Sequence, residues 1–253
     1  MFQIDLSADL GEWSGEWEHA PDAELLDLVS SASIACGGHA GDAATMRRTV
    51  IEAARRGVSI GAHPGYRDRQ GFGRRELGHA AATIAAEVAD QVDALVRCAA
   101  AEGARVRYVK PHGALYNRAV RDRELADAVA ASIRAVDPSL ALLGLAGSSL
   151  LDAAQSAGIR AVAEAFLDRG YAADGSLVPR DQPGAIIADP AAVALRAVQL
   201  AAEGLIVATD GSRLGVDAAS CCVHGDSPAA GALLRAARAA LERAGIAVVP
   251  FAP

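Results

Sequence analysis

Residues 80–113 read AAATIAAEVADQVDALVRCAAAEGARVRYVKPHG and contain one complete structural unit. Ile84, Val88, Val92 and Leu95 or Val96 recur at spacings of three and four, the period of an amphipathic helix over Ala80–Ala101. Gly103 follows, where a helix ends in a left-handed residue. The apolar run Val106–Lys110 then predicts a strand, which stops in Lys110-Pro111-His112-Gly113. Helix, glycine, strand and polar strand end thus follow one another within a single stretch.

The same unit recurs along the chain. Further predicted strands are Phe2–Leu6, Ser33–Cys36, Val58–Ala62, Leu140–Leu145, Ala161–Ala163, Leu205–Ala208 and Ser220–Val223. Helical patterns lie between them over Ala43–Arg56, Arg121–Ala135, Ser148–Ala157, Pro190–Ala202 and Pro228–Ala244. Pro190 and Pro228 suit a first helical turn, with Asp189 and Ser227 before them as caps. Gly57, Gly158, Gly204 and Gly245 each turn a helix into the next strand, as Gly103 does. Alternation over the whole chain implies an α/β fold with a parallel sheet, cyclic or doubly wound. No Pro/Ser-rich linker divides residues 1–253, so one domain is expected. The repeat is one of topology, without self-similar sequence.

Composition narrows the function. The 253 residues are 52% hydrophobic and 22% charged, a globular balance. A net charge of −7 argues against nucleic acid or an anionic membrane surface as partner. The longest uncharged stretch, Pro138–Leu151, is 14 residues and too short to span a bilayer. The acidic N-terminal segment is unlike a signal peptide, and Cys36, Cys98, Cys221 and Cys222 form no CxxC pair. A cytoplasmic protein with buried free thiols is expected. Among 24 basic residues Lys110 is the sole lysine, which suggests that an amine is needed there.

The polar residues gather at strand ends. Asp5, Ser7, Asp9 and Glu12 follow the first strand, and His39 and Asp42 the second. His63 closes the third, Lys110 and His112 the fourth, Glu164, Asp168 and Arg169 the sixth, and His224 and Asp226 the last. In a parallel barrel these ends converge on one face, where sites form. Histidines there supply donors, acceptors or metal ligands near neutral pH. His19 and His79 lack this context and read as surface residues. A Walker A loop, HExxH and GxSxG are all absent. Gly71-Phe72-Gly73 has no strand before it and is not a dinucleotide fingerprint, while Arg74-Arg75 beside it could clamp an anion.

Six strings in order resemble the LamB/YcsF family, the A subunit of prokaryotic 5-oxoprolinase. They are Asp5–Glu12, Ile34–Asp42, Gly61–Pro64 with Gly71–Arg75, Lys110–Asn117, Glu164–Tyr171 with Asp174–Arg180, and Val223–Asp226. Two departures stand out. Ser7 replaces the usual Asn, and Gly38 stands where an aromatic is common, which would enlarge the pocket.

The resemblance implies a single, partly irregular TIM-like (β/α) barrel related to polysaccharide deacetylases. It also implies ATP-dependent opening of 5-oxoproline to L-glutamate, with Mg2+ and with partner subunits B and C. Phosphorylation of an unreactive lactam and attack by water need a cation, oxyanion donors and a base. Lys110 and Arg75 are candidate cations, and His39, His63, His112 and His224 candidate donors or bases. Asp9, Glu12 and Asp42 could serve as base, orient a histidine or hold magnesium. Arg169 or Arg180 would take the substrate carboxylate. Asn117, Glu164, Asp168 and Asp226 complete the expected binding set. Two alternatives remain. One is a hydrolase without ATP, holding a divalent metal through Asp9, His39, His63 or His112. The other is a substrate-binding subunit whose partners carry the catalysis.

Overall fold

The structure is a computed structural model that describes residues 2–13 and 21–252. His19 lies outside them. In chain order the elements are β1 (Gln3–Leu10), α1 (Asp22–Leu26), β2 (Ser31–Ala35), α2 (Ala43–Arg55), β3 (Ser59–His63), α3 (Ala81–Ala101) and β4 (Val106–Val109). There follow α4 (Gly113–Ala119), α5 (Arg123–Val136), β5 (Ala141–Leu145), α6 (Ser149–Ala157), β6 (Ala161–Phe166) and α7 (Pro190–Glu203). The last are β7 (Leu205–Val207), β8 (Arg213–Gly215), β9 (Ser220–Val223), α8 (Ala230–Arg243) and β10 (Ala247–Val248).

Strands β1 to β6 pair in sequence, β6 pairs with β9, and β9 returns to β1, all in parallel. The result is a closed seven-stranded parallel barrel. β10 pairs only with Gln3 and Ile4 of β1. The C-cap glycines behave as expected, with Gly158 and Gly204 at φ 73° and 61°.

The barrel sorts its residues by face. Ile4, Leu6, Ala8 and Leu10 of β1 join the apolar layer beneath the helices. Asp5, Ser7 and Asp9, between them, point inward. The interior position is fixed by contacts across the barrel. Lys110 after β4 reaches Asp9 on β1, and Tyr108 on β4 lies 3.2 Å from Ser33 on β2. The bottom is closed by Tyr108, Ala141, Leu143 and Val162, with the Phe251 ring 4.9 Å from that of Tyr108. Gly61 is required beside it, since a Cβ there would lie 2.2 Å from the Tyr108 ring.

Three expectations are corrected. Leu205–Ala208 is not a barrel strand, because Leu205–Val207 pairs antiparallel with Arg213–Gly215. The turn between them contains Asp210-Gly211, whose glycine takes φ 90° and suits a hairpin. The last long helix begins at Ala230, not Pro228, and Ser227 Oγ accepts from the Ala229 amide before it. The first strand runs on through Asp9 to Leu10. Among the described residues no helix is long and apolar enough to cross a membrane. The cysteines are unpaired.

Asp5 binds the lower barrel together. It accepts from Ser30 and Ser31 at 2.7 and 2.6 Å and from Ser220 at 2.6 Å. Burial nevertheless pushes its carboxyl up to about 6. The unfolded chain releases this proton near pH ~3.9, so the stability it confers is full below that and is lost as pH rises through about 6. The loss amounts to about 3 kcal/mol. Asp5→Asn keeps an acceptor without the titration. Denaturant unfolding at about pH 4.5 and about pH 7.5 should therefore show a smaller stability difference in the variant than in the native chain.

Candidate active site at the barrel mouth

The C-terminal strand ends deliver the site. β1 supplies Asp9 and, past Gly11, Glu12, while the loop after β2 supplies His39. His63 ends β3, and Lys110 and His112 follow β4. Glu164 is on β6, Asp168 and Arg169 follow it, and His224 follows β9. Asp9, His63, Lys110, His112, Asn117, Arg169, Arg180 and His224 all line one cavity of 320 Å³.

At its floor Lys110 is almost wholly buried. Its ammonium donates to Asp9 Oδ1 at 2.9 Å and to Cys222 Sγ at 3.0 Å, and lies 3.3 Å from Glu164 Oε2. Burial works against charge on Lys110, but Asp9, Cys222 and Glu164 outweigh it and hold the amine protonated. Burial likewise opposes charge on Asp9, and the Lys110 ammonium holds its carboxyl below the usual range. Glu164 is raised by burial despite Lys110.

Three imidazoles form one wall. His39 stacks on His112 with centroids 3.6 Å apart, and both stand edge-on to His63. His63 Nδ1 donates to the Lys110 carbonyl at 2.7 Å, and His112 Nε2 donates to the Phe72 carbonyl at 2.9 Å. Glu12 Oε1 lies 2.9 Å from His39 Nε2. Burial lowers His39 to about 4 and drives His63 and His112 well below their usual value. Burial and the nearby Asp9 raise Glu12. Glu12, His39, His63 and His112 each offer a ligand atom within 4.8 Å of the others, a group that could hold a metal ion.

The same cavity is also lined by Arg74, Arg169, Arg180 and His224. Arg169 is fixed by the carbonyls of Ala185 and Val178 at 3.0 and 2.7 Å, and burial lowers it to about 10. His224 Nδ1 donates to the Asp168 carboxylate at 3.0 Å, and its backbone amide donates to the same group at 3.1 Å. Burial opposes charge on Asp168, but His224 outweighs it and keeps the carboxyl low. The His224 ring stacks on Phe166 with centroids 5.0 Å apart.

Comparison with known proteins gives the family. Residues 4–253 match the LamB/YcsF family. The chain belongs to that family. It is 54% identical to the A subunit of 5-oxoprolinase from Streptomyces avermitilis over 98% of this chain and all of that protein. A lactam utilization protein from Thermus thermophilus, 44% identical, superposes with a TM-score of 0.92 over 98% of this chain and all of the other. A peptidoglycan deacetylase from Bacillus subtilis, 11% identical, has a TM-score of 0.50 over 99% of this chain and 88% of its own. That last likeness concerns the fold alone.

The LamB/YcsF strings do not all reach the cavity. Asp42 is an exposed cap of α2 that accepts from the Thr45 amide at 2.8 Å. Arg75 turns away and pairs with Asp68, its Nε 2.8 Å from Oδ2. Its neighbour Arg74 faces the cavity instead and pairs with Asp226. Gly38 does not enlarge the pocket, because a Cβ there would meet Gln91 Oε1 at 2.3 Å and the Gly65 carbonyl at 2.7 Å. Ser7 sits inside the barrel, 3.2 Å from Ser220 Oγ. Glu12, rather than Asp9, joins the three histidines. Sequence reasoning named the Arg74-Arg75 pair but chose Arg75 as the cation, and it missed Phe72 as the acceptor for His112, Phe166 as the stacking partner of His224, and Cys222 beside Lys110. His79 is exposed, as expected.

Removing the ammonium from this floor would strand buried carboxylates. Lys110→Ala should cost about 3–5 kcal/mol in equilibrium unfolding. Combining Lys110→Met with Asp9→Asn should recover a substantial part of that loss, which a double-mutant cycle would measure.

Proposed function

We propose that this chain is the A subunit of a multi-subunit 5-oxoprolinase, working as one domain in the cytoplasm. It would open the lactam of 5-oxoproline to L-glutamate, coupled to hydrolysis of ATP to ADP and phosphate. Subunits B and C and Mg2+ would complete the enzyme. The observation that carries this reading is one cavity lined both by arginines, Arg74, Arg169 and Arg180, and by histidines, His63, His112 and His224. The names borne by its full-length relatives point to the same substrate.

A carboxylate on the lactam would be held by Arg169 and Arg180, whose guanidiniums suit planar anions. Arg74, and not Arg75, would face phosphate or other anionic charge arising during the reaction. Asn117 adds a polar group to the rim. Lys110 holds Asp9 at the floor, where the two charges offset each other. His224 has its Nδ1–H committed to Asp168, so Nε2 is the basic nitrogen. His224 Nε2 would take a proton from water and return it to the ring nitrogen as the C–N bond breaks. Asp168 is then a positioning residue, holding the ring in that tautomer.

A second reading, amide hydrolysis through a divalent metal without ATP, is favoured by the grouping of Glu12 with three histidines. One assay separates the two. Glutamate release from 5-oxoproline is measured with the chain alone and with B and C, each with and without Mg-ATP. Turnover only in the full mixture supports the first reading, and turnover by the lone chain without ATP supports the second. In the active mixture His224→Ala should lower kcat about 100-fold or more. Asp168→Asn should lower it with little change in KM, and His79→Ala should leave both unchanged. Full activity of His224→Ala would exclude its role in proton transfer.

A further inference from the structure

The hydrogen bonds of His63 and His112 cannot all be made by neutral rings. A carbonyl oxygen only accepts, so His63 Nδ1 must carry a hydrogen toward Lys110 O, 2.7 Å away. By the same rule His112 Nε2 must carry one toward Phe72 O, 2.9 Å away. A neutral imidazole has a single N–H. The remaining nitrogens, His63 Nε2 and His112 Nδ1, are therefore both lone pairs, and they face each other at 2.9 Å. Two buried lone pairs at that separation repel unless positive charge lies with them.

Other groups point to the same place. Glu12 Oε1 is 3.4 Å from His112 Nδ1, 3.9 Å from His63 Nε2 and 2.9 Å from His39 Nε2. His39 Nδ1 is buried without a hydrogen-bond partner among the described residues. Phe72 takes φ 52°, an unusual conformation for a bulky residue, and its carbonyl meets His112. Metal-binding histidines characteristically donate their second N–H to a carbonyl or carboxylate, which fixes the ring and its tautomer. His63 and His112 both do this.

We infer that Glu12, His39, His63 and His112 bind a single divalent transition-metal ion of the zinc class. Three imidazoles and one carboxylate suit Zn2+ and its neighbours, whereas Mg2+ and Ca2+ prefer oxygen. Asp9 stands beside this group rather than in it: Lys110 holds its Oδ1 at 2.9 Å, and its Oδ2 lies 3.5 Å from His63 Nε2. The Mg2+ that accompanies a nucleotide is a separate requirement. This inference stands on the ring tautomers and does not depend on the lactam reading.

The test is metal binding, not turnover. The purified full chain is stripped with chelator, and Zn2+ and Co2+ are each titrated by calorimetry. Metal content is read by elemental analysis, the Co2+ form by visible absorption, and folding by circular dichroism. The expected result is about one ion per chain, with Co2+ absorption of a nitrogen-rich site. Glu12→Gln and His63→Ala should each weaken binding by about 100-fold or more, while His79→Ala leaves it unchanged. Because His63→Ala could perturb folding, Glu12→Gln is the deciding variant. A folded native chain that takes up neither ion, with a shared imidazolium proton between His63 and His112 seen by 15N NMR, would overturn the assignment. Stoichiometric binding that survives Glu12→Gln and His63→Ala together would also overturn it.

Discussion

The Lys110 ammonium inside the barrel is the interaction on which the site depends. Parallel barrels are usually filled with branched aliphatic side chains. Here a cation from β4 sits among Asp9 of β1, Glu164 of β6 and Cys222 of β9. A buried charge is tolerated only with partners, and these partners would be unfavourable without it. An ammonium is a compact point charge with three donors, and here it donates to Asp9 and Cys222 while Glu164 lies 3.3 Å away. This accounts for one lysine surviving in a chain whose other basic residues are arginines.

The same residue orders the histidine wall. Its side chain points into the barrel while its carbonyl receives the N–H of His63. The turn at Gly71–Gly73 does the equivalent for His112 through Phe72. Gly73 is required there, since a Cβ would approach His39 Cβ at 2.7 Å and His112 Cδ2 at 3.0 Å. Two backbone carbonyls from different loops thus set two tautomers, and the stacked His39 is held against them. The ring nitrogens left over converge because the backbone admits no other arrangement of hydrogens.

Much of this was legible in the sequence because strand ends are marked by chemistry as well as by pattern. His39, His63, His112 and His224 follow apolar runs and meet at one face, as parallel topology requires. The helix-ending glycines and the Asp189 cap were readable from local rules. The extent of β1 was not. Asp5, Ser7 and Asp9 alternate with apolar residues, but an interior lined with polar groups reverses the usual meaning of that alternation. Arg74 and Arg75 are adjacent and chemically identical, so only the turn decides which one faces the cavity. Asp42 sits directly before a helix and is a cap by rule, yet its place after His39 made it resemble a site residue. The five residues of α1 are too few to show a period.

The groups around the cavity differ in the charge that burial leaves them. On the floor Asp9 and Lys110 offset each other, while burial keeps Glu164 toward its neutral form. The histidine wall is driven toward neutral rings by burial. Positive charge is left mainly to Arg74, Arg169 and Arg180, of which Arg74 is partly offset by Asp226. Among the groups that line the cavity, those guanidiniums are where an anion is favoured. The Lys110–Asp9 pair thus balances its own charge inside the barrel, and the arginines around the cavity are what leave positive charge to meet an anion.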